Sequence, residues 1–194
     1  MTKDRRQQTQ TLVLGAIFTA LVIILQFMGA FIRFGPFSIS LVLIPIVIGA
    51  ATCGVGIGTW LGFIFGAVVL ASGDAATFLG IDVLGTVVTV LLKGAACGFA
   101  AGIVYKLLAK YNKYLAVTAA AVACPLVNTG VFLLGCRIFF FEAVASWGVA
   151  SGFESTFKYM ILVLVGGNFL FELGSNIILS PIAVRILNIN KIER

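Results

Sequence analysis

Charged residues are so widely spaced in this chain that their spacing alone excludes most folds. No residue between Arg6 and Arg33 carries a charge, and none does between Arg33 and Asp74. Runs of this length can cross the hydrocarbon core of a bilayer, which takes about 20 apolar residues in a helix. Of the 194 residues, 61% are hydrophobic and 10% are charged, against about 45–50% and about 25% in soluble domains. The sequence therefore predicts an integral membrane protein rather than a water-soluble one.

The uncharged runs divide into six predicted helices within one transmembrane domain. The second run is too long for one helix and contains Gly54, Gly56 and Gly58, which indicate a tight turn between two helices. The six spans are predicted at about residues 12–31, 38–52, 56–70, 82–108, 114–136 and 159–187. Outer-membrane barrels would need alternating segments of about ten residues, which the continuous runs exclude. The predicted fold class is an all-α, six-helix membrane bundle.

Lysine and arginine are distributed unevenly between the two predicted sides of the membrane. With a cytoplasmic N-terminus, nine of them face the cytoplasm: Lys3, Arg5, Arg6, Lys106, Lys110, Lys113, Arg185, Lys191 and Arg194. Only Arg33, Arg137 and Lys158 then face outside. This asymmetry follows the positive-inside rule, and an even number of spans returns the C-terminus to the cytoplasm. A cleaved signal peptide is the alternative for the first span, although that span is long for one.

The composition also excludes several kinds of chemistry. There is no histidine, which removes imidazole bases and histidine-ligated metals. The four cysteines, at positions 53, 97, 124 and 136, have no C-x-x-C spacing, so we expect buried free thiols rather than a disulfide framework or a zinc site. No phosphate-loop motif is present. We expect no cofactor, no metal and no enzymatic activity.

Small residues recur at helical spacing in three of the predicted spans. The third span carries Gly54, Gly58, Gly62 and Gly66, and the fourth carries Gly94, Gly98 and Gly102. Such stripes let helix backbones approach closely in lipid, and for these two we predict packing inside the bundle. A shorter stripe, Ala16 and Ala20 on the first span, could equally face a second membrane protein.

Polar residues inside the predicted spans are the main indication of function. Lys93 and Glu172 lie at similar depths, and a charged side chain near the bilayer centre costs about 2.5–3.5 kcal/mol on insertion scales. Further polar residues follow the same helix faces or lie at a similar depth, namely Thr86, Thr89, Asn128, Asn168 and Asn176. Two interpretations stay open: a structural ion pair between Lys93 and Glu172, or a polar pocket among helices four to six that opens outward.

The chain also resembles a known family. Six short spans, the motif Ala16-x-x-x-Ala20 and the segment 34–49, FGPFSISLVLIPIVIG, look like the substrate-binding S component of energy-coupling factor (ECF) vitamin transporters. The segment resembles the pantothenate-type branch in particular. The resemblance implies a subunit of the bacterial plasma membrane that captures a micronutrient from outside. It also implies a transmembrane T component, which Ala16 and Ala20 would contact, and two cytoplasmic ATPases.

These expectations lead to a hypothesis for each polar residue. Lys93 would neutralise an anionic group of the ligand, such as the carboxylate of pantothenate, because a charge in an apolar bundle needs a counter-charge. The three asparagines would bind hydroxyl and amide groups, with Thr86 and Thr89 beside them. Glu172 would accept from a ligand hydroxyl or hold Lys93 in place. Segments 31–37 and 139–153 would act as lids.

Two other classes of function remain open from the sequence. A self-contained secondary transporter of a small organic solute would be expected to show internal repeats and interrupted helices in both halves, whereas here one half is rich in glycine and the other in polar residues. A membrane enzyme would need paired carboxylates or a nucleophile with a base, and Glu172 with Lys93 supplies neither.

Overall fold

The computed structural model describes the backbone of residues 3–30, 33–34, 37–38 and 41–192, and the side chains of residues 5, 7–29 and 41–185. Within these ranges the chain is helical apart from one short antiparallel pair, β1 (Arg33–Phe34) with β2 (Phe37–Ser38). The helices are α1 (Lys3–Ala30), α2 (Leu43–Cys53), α3 (Val55–Ala71), α4 (Ala76–Leu79), α5 (Val83–Leu108), α6 (Lys113–Phe139), α7 (Phe141–Ala150), α8 (Thr156–Tyr159) and α9 (Gly166–Ile192). A π-helical segment, Met160–Val165, joins α8 to α9. The predicted helical class is confirmed.

Four of the described helical segments are long and apolar enough to cross a bilayer. They cover Gln7–Gly29, Val83–Leu108, Lys113–Phe139 and Thr156–Arg185. The apolar helices α2 and α3 are shorter, with 11 and 17 residues. At a rise of 1.5 Å per residue they extend about 16 and 25 Å, less than the roughly 30 Å hydrocarbon core.

Helix α2 is shorter than predicted because it begins at Leu43 rather than near Ser38. Pro45 lies in its first turn, where the missing N–H costs nothing because that group has no partner inside the helix. Most of the helix is buried. Its buried part, Leu43 to Ala50, is covered by neighbouring helices, whereas its C-terminal end at Gly54 is exposed.

The turn between α2 and α3 lies at Gly54, as the glycine cluster predicted. This residue has a φ of +94°, a conformation that glycine adopts without steric cost and other residues rarely adopt. The chain therefore reverses between Cys53 and Val55 with a single non-helical residue.

The two predicted glycine stripes pack against each other. A Cβ atom added at Gly62 would overlap the carbonyl oxygen of Gly94, and one added at Gly98 would overlap that of Gly58. Helix α5 contacts α3 through this surface and α6 through another, and α6 in turn contacts α9. The predicted internal packing role of both stripes is confirmed.

The α3–α5 contact gives a direct test by substitution. We expect Gly62→Ala to lower the free energy of unfolding by about 2 kcal/mol, because the backbones must separate to admit the methyl group. Gly130→Ala on α6 is the matched control, since a Cβ there meets nothing within 4 Å and alanine favours a helix. Denaturation of the detergent-purified chain measures both, and equal stability of the two variants would contradict the packing.

Candidate functional site

A cavity lies inside the bundle, where α1, α3, α5, α6 and α9 face one another. The space that the centres of water molecules can occupy in it is about 70 Å³. This is room for about five waters or for part of a small organic ligand. Its polar lining residues are Gln26, Asp74, Lys93, Asn128, Thr129, Asn168 and Glu172. Its apolar walls include Phe65, Phe78, Phe132 and Phe169. Of the residues predicted to bind substrate, four line this cavity: Lys93, Asn128, Asn168 and Glu172.

Glu172 is the buried carboxylate of this cavity, with 2% of its surface exposed. The Nδ2 atom of Asn168 donates to its Oε1 at 3.3 Å, and the Asn128 side chain donates to it as well. In both bonds the carboxyl oxygen accepts, so the NH₂ groups of the two amides face it. Helices α6 and α9 are thereby joined through Glu172.

That arrangement leaves two amide oxygens without partners. Asn128 Oδ1 and Asn168 Oδ1 are buried, and within the described part of the chain neither accepts a hydrogen bond. A buried acceptor left unpaired costs about 1–3 kcal/mol. The two oxygens therefore favour a molecule in the cavity that supplies hydrogen-bond donors.

Lys93 lies between two aromatic rings. Its Nζ is 5.5 Å from the ring centroid of Phe65 and 5.5 Å from that of Phe132. Cation–π contacts of this length stabilise an ammonium in place of water. The acidic side chains of Glu172 and Asp74 also act on Lys93 electrostatically. Because Lys93 lines the cavity, its ammonium can contact an anionic group there.

Three polar residues of the cavity, Gln26, Asp74 and Thr129, were not among the predicted site residues. Gln26 on α1 is 2% exposed, and its Nε2 donates to Asp74 Oδ2 at 2.7 Å. Asp74 follows α3, in the turn before α4. The sequence carries one signal for this contact, since Gln26 is the one strongly polar side chain in the first predicted span. Nothing in the sequence indicates that its partner is Asp74, which lies 48 residues further along the chain.

Three predicted substrate-binding residues do not line the cavity. The Thr86 hydroxyl donates to the Asp82 carbonyl at 2.6 Å, and Asn176 Nδ2 donates to the Ala121 carbonyl at 3.3 Å. Thr89 packs against Gly135, and its buried hydroxyl makes no hydrogen bond to any described residue. All three are buried between helices, where they contact the neighbouring helix or their own backbone.

The predicted outer lid at 139–153 contains α7 and contacts the cavity wall. Phe78, which lines the cavity, packs edge-on against Phe140 at 5.0 Å and against Trp147 at 5.8 Å between ring centroids. An aromatic cluster thus separates the cavity from the surface on this side. Most of the other predicted lid, at 31–37, lies outside the described residues.

The motif residues Ala16 and Ala20 lie on the surface of α1. Large apolar side chains are exposed on the same face, among them Val13, Ile17 and Ile24. These residues recur at helical spacing, so the face is a continuous apolar stripe. Ala16 and Ala20 are the small side chains in it. Such a surface fits either lipid or a second helix.

The buried carboxylate generates a prediction for the cavity itself. Asn128→Leu removes one donor to Glu172, so we expect the free energy of unfolding to fall by about 2 kcal/mol, as for other hydrogen bonds to charged groups. Thr129→Val, which alters a neighbouring cavity residue without changing its shape, should shift it by less than about 0.5 kcal/mol. Denaturation measures both variants. Equal losses of unfolding free energy would contradict a stabilising bond between Asn128 and Glu172.

Comparison with known proteins places this architecture in a family. No curated protein and no solved structure matches the chain. The sequence model of one family, described as the ECF transporter substrate-specific component, matches residues 10–186. Members of that family are the substrate-binding membrane subunits of transporters. Since the match covers all but the two ends, the chain belongs to the ECF transporter substrate-specific component family.

Proposed function

We propose that this chain captures one polar, vitamin-like micronutrient in the cavity between α1, α3, α5, α6 and α9. The observation that supports this most strongly is the pair of unpartnered buried oxygens, Asn128 Oδ1 and Asn168 Oδ1, in the cavity that also holds the Lys93 ammonium. A packed structural core satisfies its buried polar groups. Unsatisfied acceptors and a cation in the same cavity together favour a ligand that bonds to both.

The ligand would be bound by complementary charge and hydrogen bonding. An anionic or strongly accepting group would lie at Lys93, and hydroxyl or N–H groups would donate to Asn128 and Asn168. The rings of Phe65 and Phe132 would pack on its apolar part while they hold Lys93 in position. Each of these groups is preorganised by helix packing, so the protein loses little conformational freedom on binding.

Pantothenate is the candidate we favour, as the segment 34–49 suggested. It carries a carboxylate for Lys93 and hydroxyl and amide N–H groups for the two asparagines. A thermal-shift screen of pantothenate against riboflavin, folate, thiamin, biotin, pyridoxine and queuine-like bases tests the choice, because a tight ligand stabilises by the logarithm of its excess over Kd. A larger rise in Tm with another vitamin would identify that vitamin as the ligand and would leave the proposed site unchanged.

The membrane arrangement and partners belong to the same proposal. Six spans with both termini in the cytoplasm would place the cavity toward the outer side, in the plasma membrane of a bacterium. A T component and two ATPases would supply the energy for uptake, with Ala16 and Ala20 on the surface that meets the T component. Ion-driven uptake by the chain alone would contradict this and favour the secondary transporter.

Lys93→Met tests the proposed counter-charge. Methionine keeps most of the side-chain volume but removes the ammonium, so a ligand carboxylate would be buried without a partner. We expect pantothenate binding to weaken by about 2 kcal/mol or more, roughly thirtyfold, in calorimetry on folded protein. Lys110→Met, outside the cavity and exposed beside Tyr111, should bind as the wild type does. Unchanged affinity in the Lys93 variant would exclude Lys93 from the site.

The paired substitution Ala16→Leu and Ala20→Leu tests the proposed partner surface. Two bulky side chains on a stripe of close helix contact prevent the backbones from approaching, so the T component and ATPases should no longer co-purify with the chain. Ligand affinity should be unchanged, because neither alanine lines the cavity. Retained co-purification would place the partner on another face.

A further inference from the structure

A second, larger recess lies at the opposite end of the bundle from the aromatic cluster, and we call it the inner groove. It is formed by the first turns of α1, the α2–α3 corner and the last turns of α5, and its volume is about 990 Å³. Polar residues along it include Gln7, Gln8, Thr52, Tyr105 and Lys106. Apolar side chains, such as Leu12 and Val55, line its walls.

The inner groove contains several groups that can donate hydrogen bonds to an anion. The Thr11 and Thr52 hydroxyls already donate to carbonyls of their own helices, at 3.0 and 2.8 Å. The remaining donors include the Lys106 ammonium, which is exposed, the Tyr105 hydroxyl and the two glutamine amides. Among the described residues that line the groove, Lys106 is basic and none is acidic.

Helix α5 is long enough for its last turn, beside the groove, to reach the headgroup region of a bilayer. Helix α5 has 26 residues, which extend about 39 Å and exceed the roughly 30 Å hydrocarbon thickness. Lys106 lies in its last turn. An ammonium at this level, above apolar walls, meets lipid phosphate while the walls meet acyl chains.

We propose that the inner groove binds an anionic phospholipid, with Lys106 at the headgroup and the acyl chain along Leu12 and Val55. The charge of the groove favours this occupant, since basic recesses between membrane helices select anionic headgroups. The inference goes beyond substrate capture and does not depend on which ligand the cavity takes.

The test uses the full chain in a neutral detergent, with phosphatidylglycerol or phosphatidylcholine added at increasing concentration. The lipid concentration that gives half of the maximal rise in Tm is measured. For the wild type and for Lys106→Arg, phosphatidylglycerol should act at about fivefold lower concentration than phosphatidylcholine, the selectivity expected from one lysine. In Lys106→Gln the two lipids should act equally.

Lys110→Gln is the matched control, because Lys110 is a basic residue on the next turn that does not line the groove. It should keep the fivefold preference. No preference in the wild type, or the same loss in both glutamine variants, would overturn the proposal. So would a Lys106→Gln chain that keeps the lipid preference but no longer co-purifies with a T component, since the groove would then be a partner site.

Discussion

The close approach of α3 and α5 is the contact on which the rest of the structure depends. Gly62 and Gly94 meet backbone to backbone, and the two helices are held together at a distance that no larger side chain would allow. Phe65 lies one turn from Gly62, and Lys93 directly precedes Gly94. The glycine contact therefore places an aromatic ring 5.5 Å from the ammonium, and a packing feature becomes part of the polar site.

The polar groups of the cavity are costly to bury because the bundle is surrounded by lipid. Lipid cannot supply the hydrogen bonds that a polar group needs inside a bilayer, and a charge there costs several kcal/mol. Asn128 on α6 and Asn168 on α9 offset part of that cost, because both donate hydrogen bonds to Glu172. The same bonds leave the amide oxygens unpaired, so stabilising the carboxylate and preparing a ligand site are two results of one arrangement.

Much of the fold could be predicted from the sequence because charge spacing and glycine periodicity are local signals. The long helices, the turn at Gly54 and the role of the glycine stripes all follow from residues near one another in the chain. Helix periodicity assigns a residue to a face but does not identify what that face contacts, so Thr86 was grouped with Lys93 although its hydroxyl bonds to its own helix. The Gln26–Asp74 contact joins distant segments and has no periodic pattern to reveal it.

The central claim is that the cavity of Lys93, Asn128, Asn168 and Glu172 holds a small polar molecule. Native mass spectrometry of the purified chain, followed by identification of what it releases, tests this most directly. The account predicts one molecule per chain, with an anionic or accepting group and at least two hydrogen-bond donors, and its loss from a folded double variant, Lys93→Met with Asn168→Leu. A chain that carries no such molecule after growth with every candidate vitamin, or a double variant that retains it, would contradict the account.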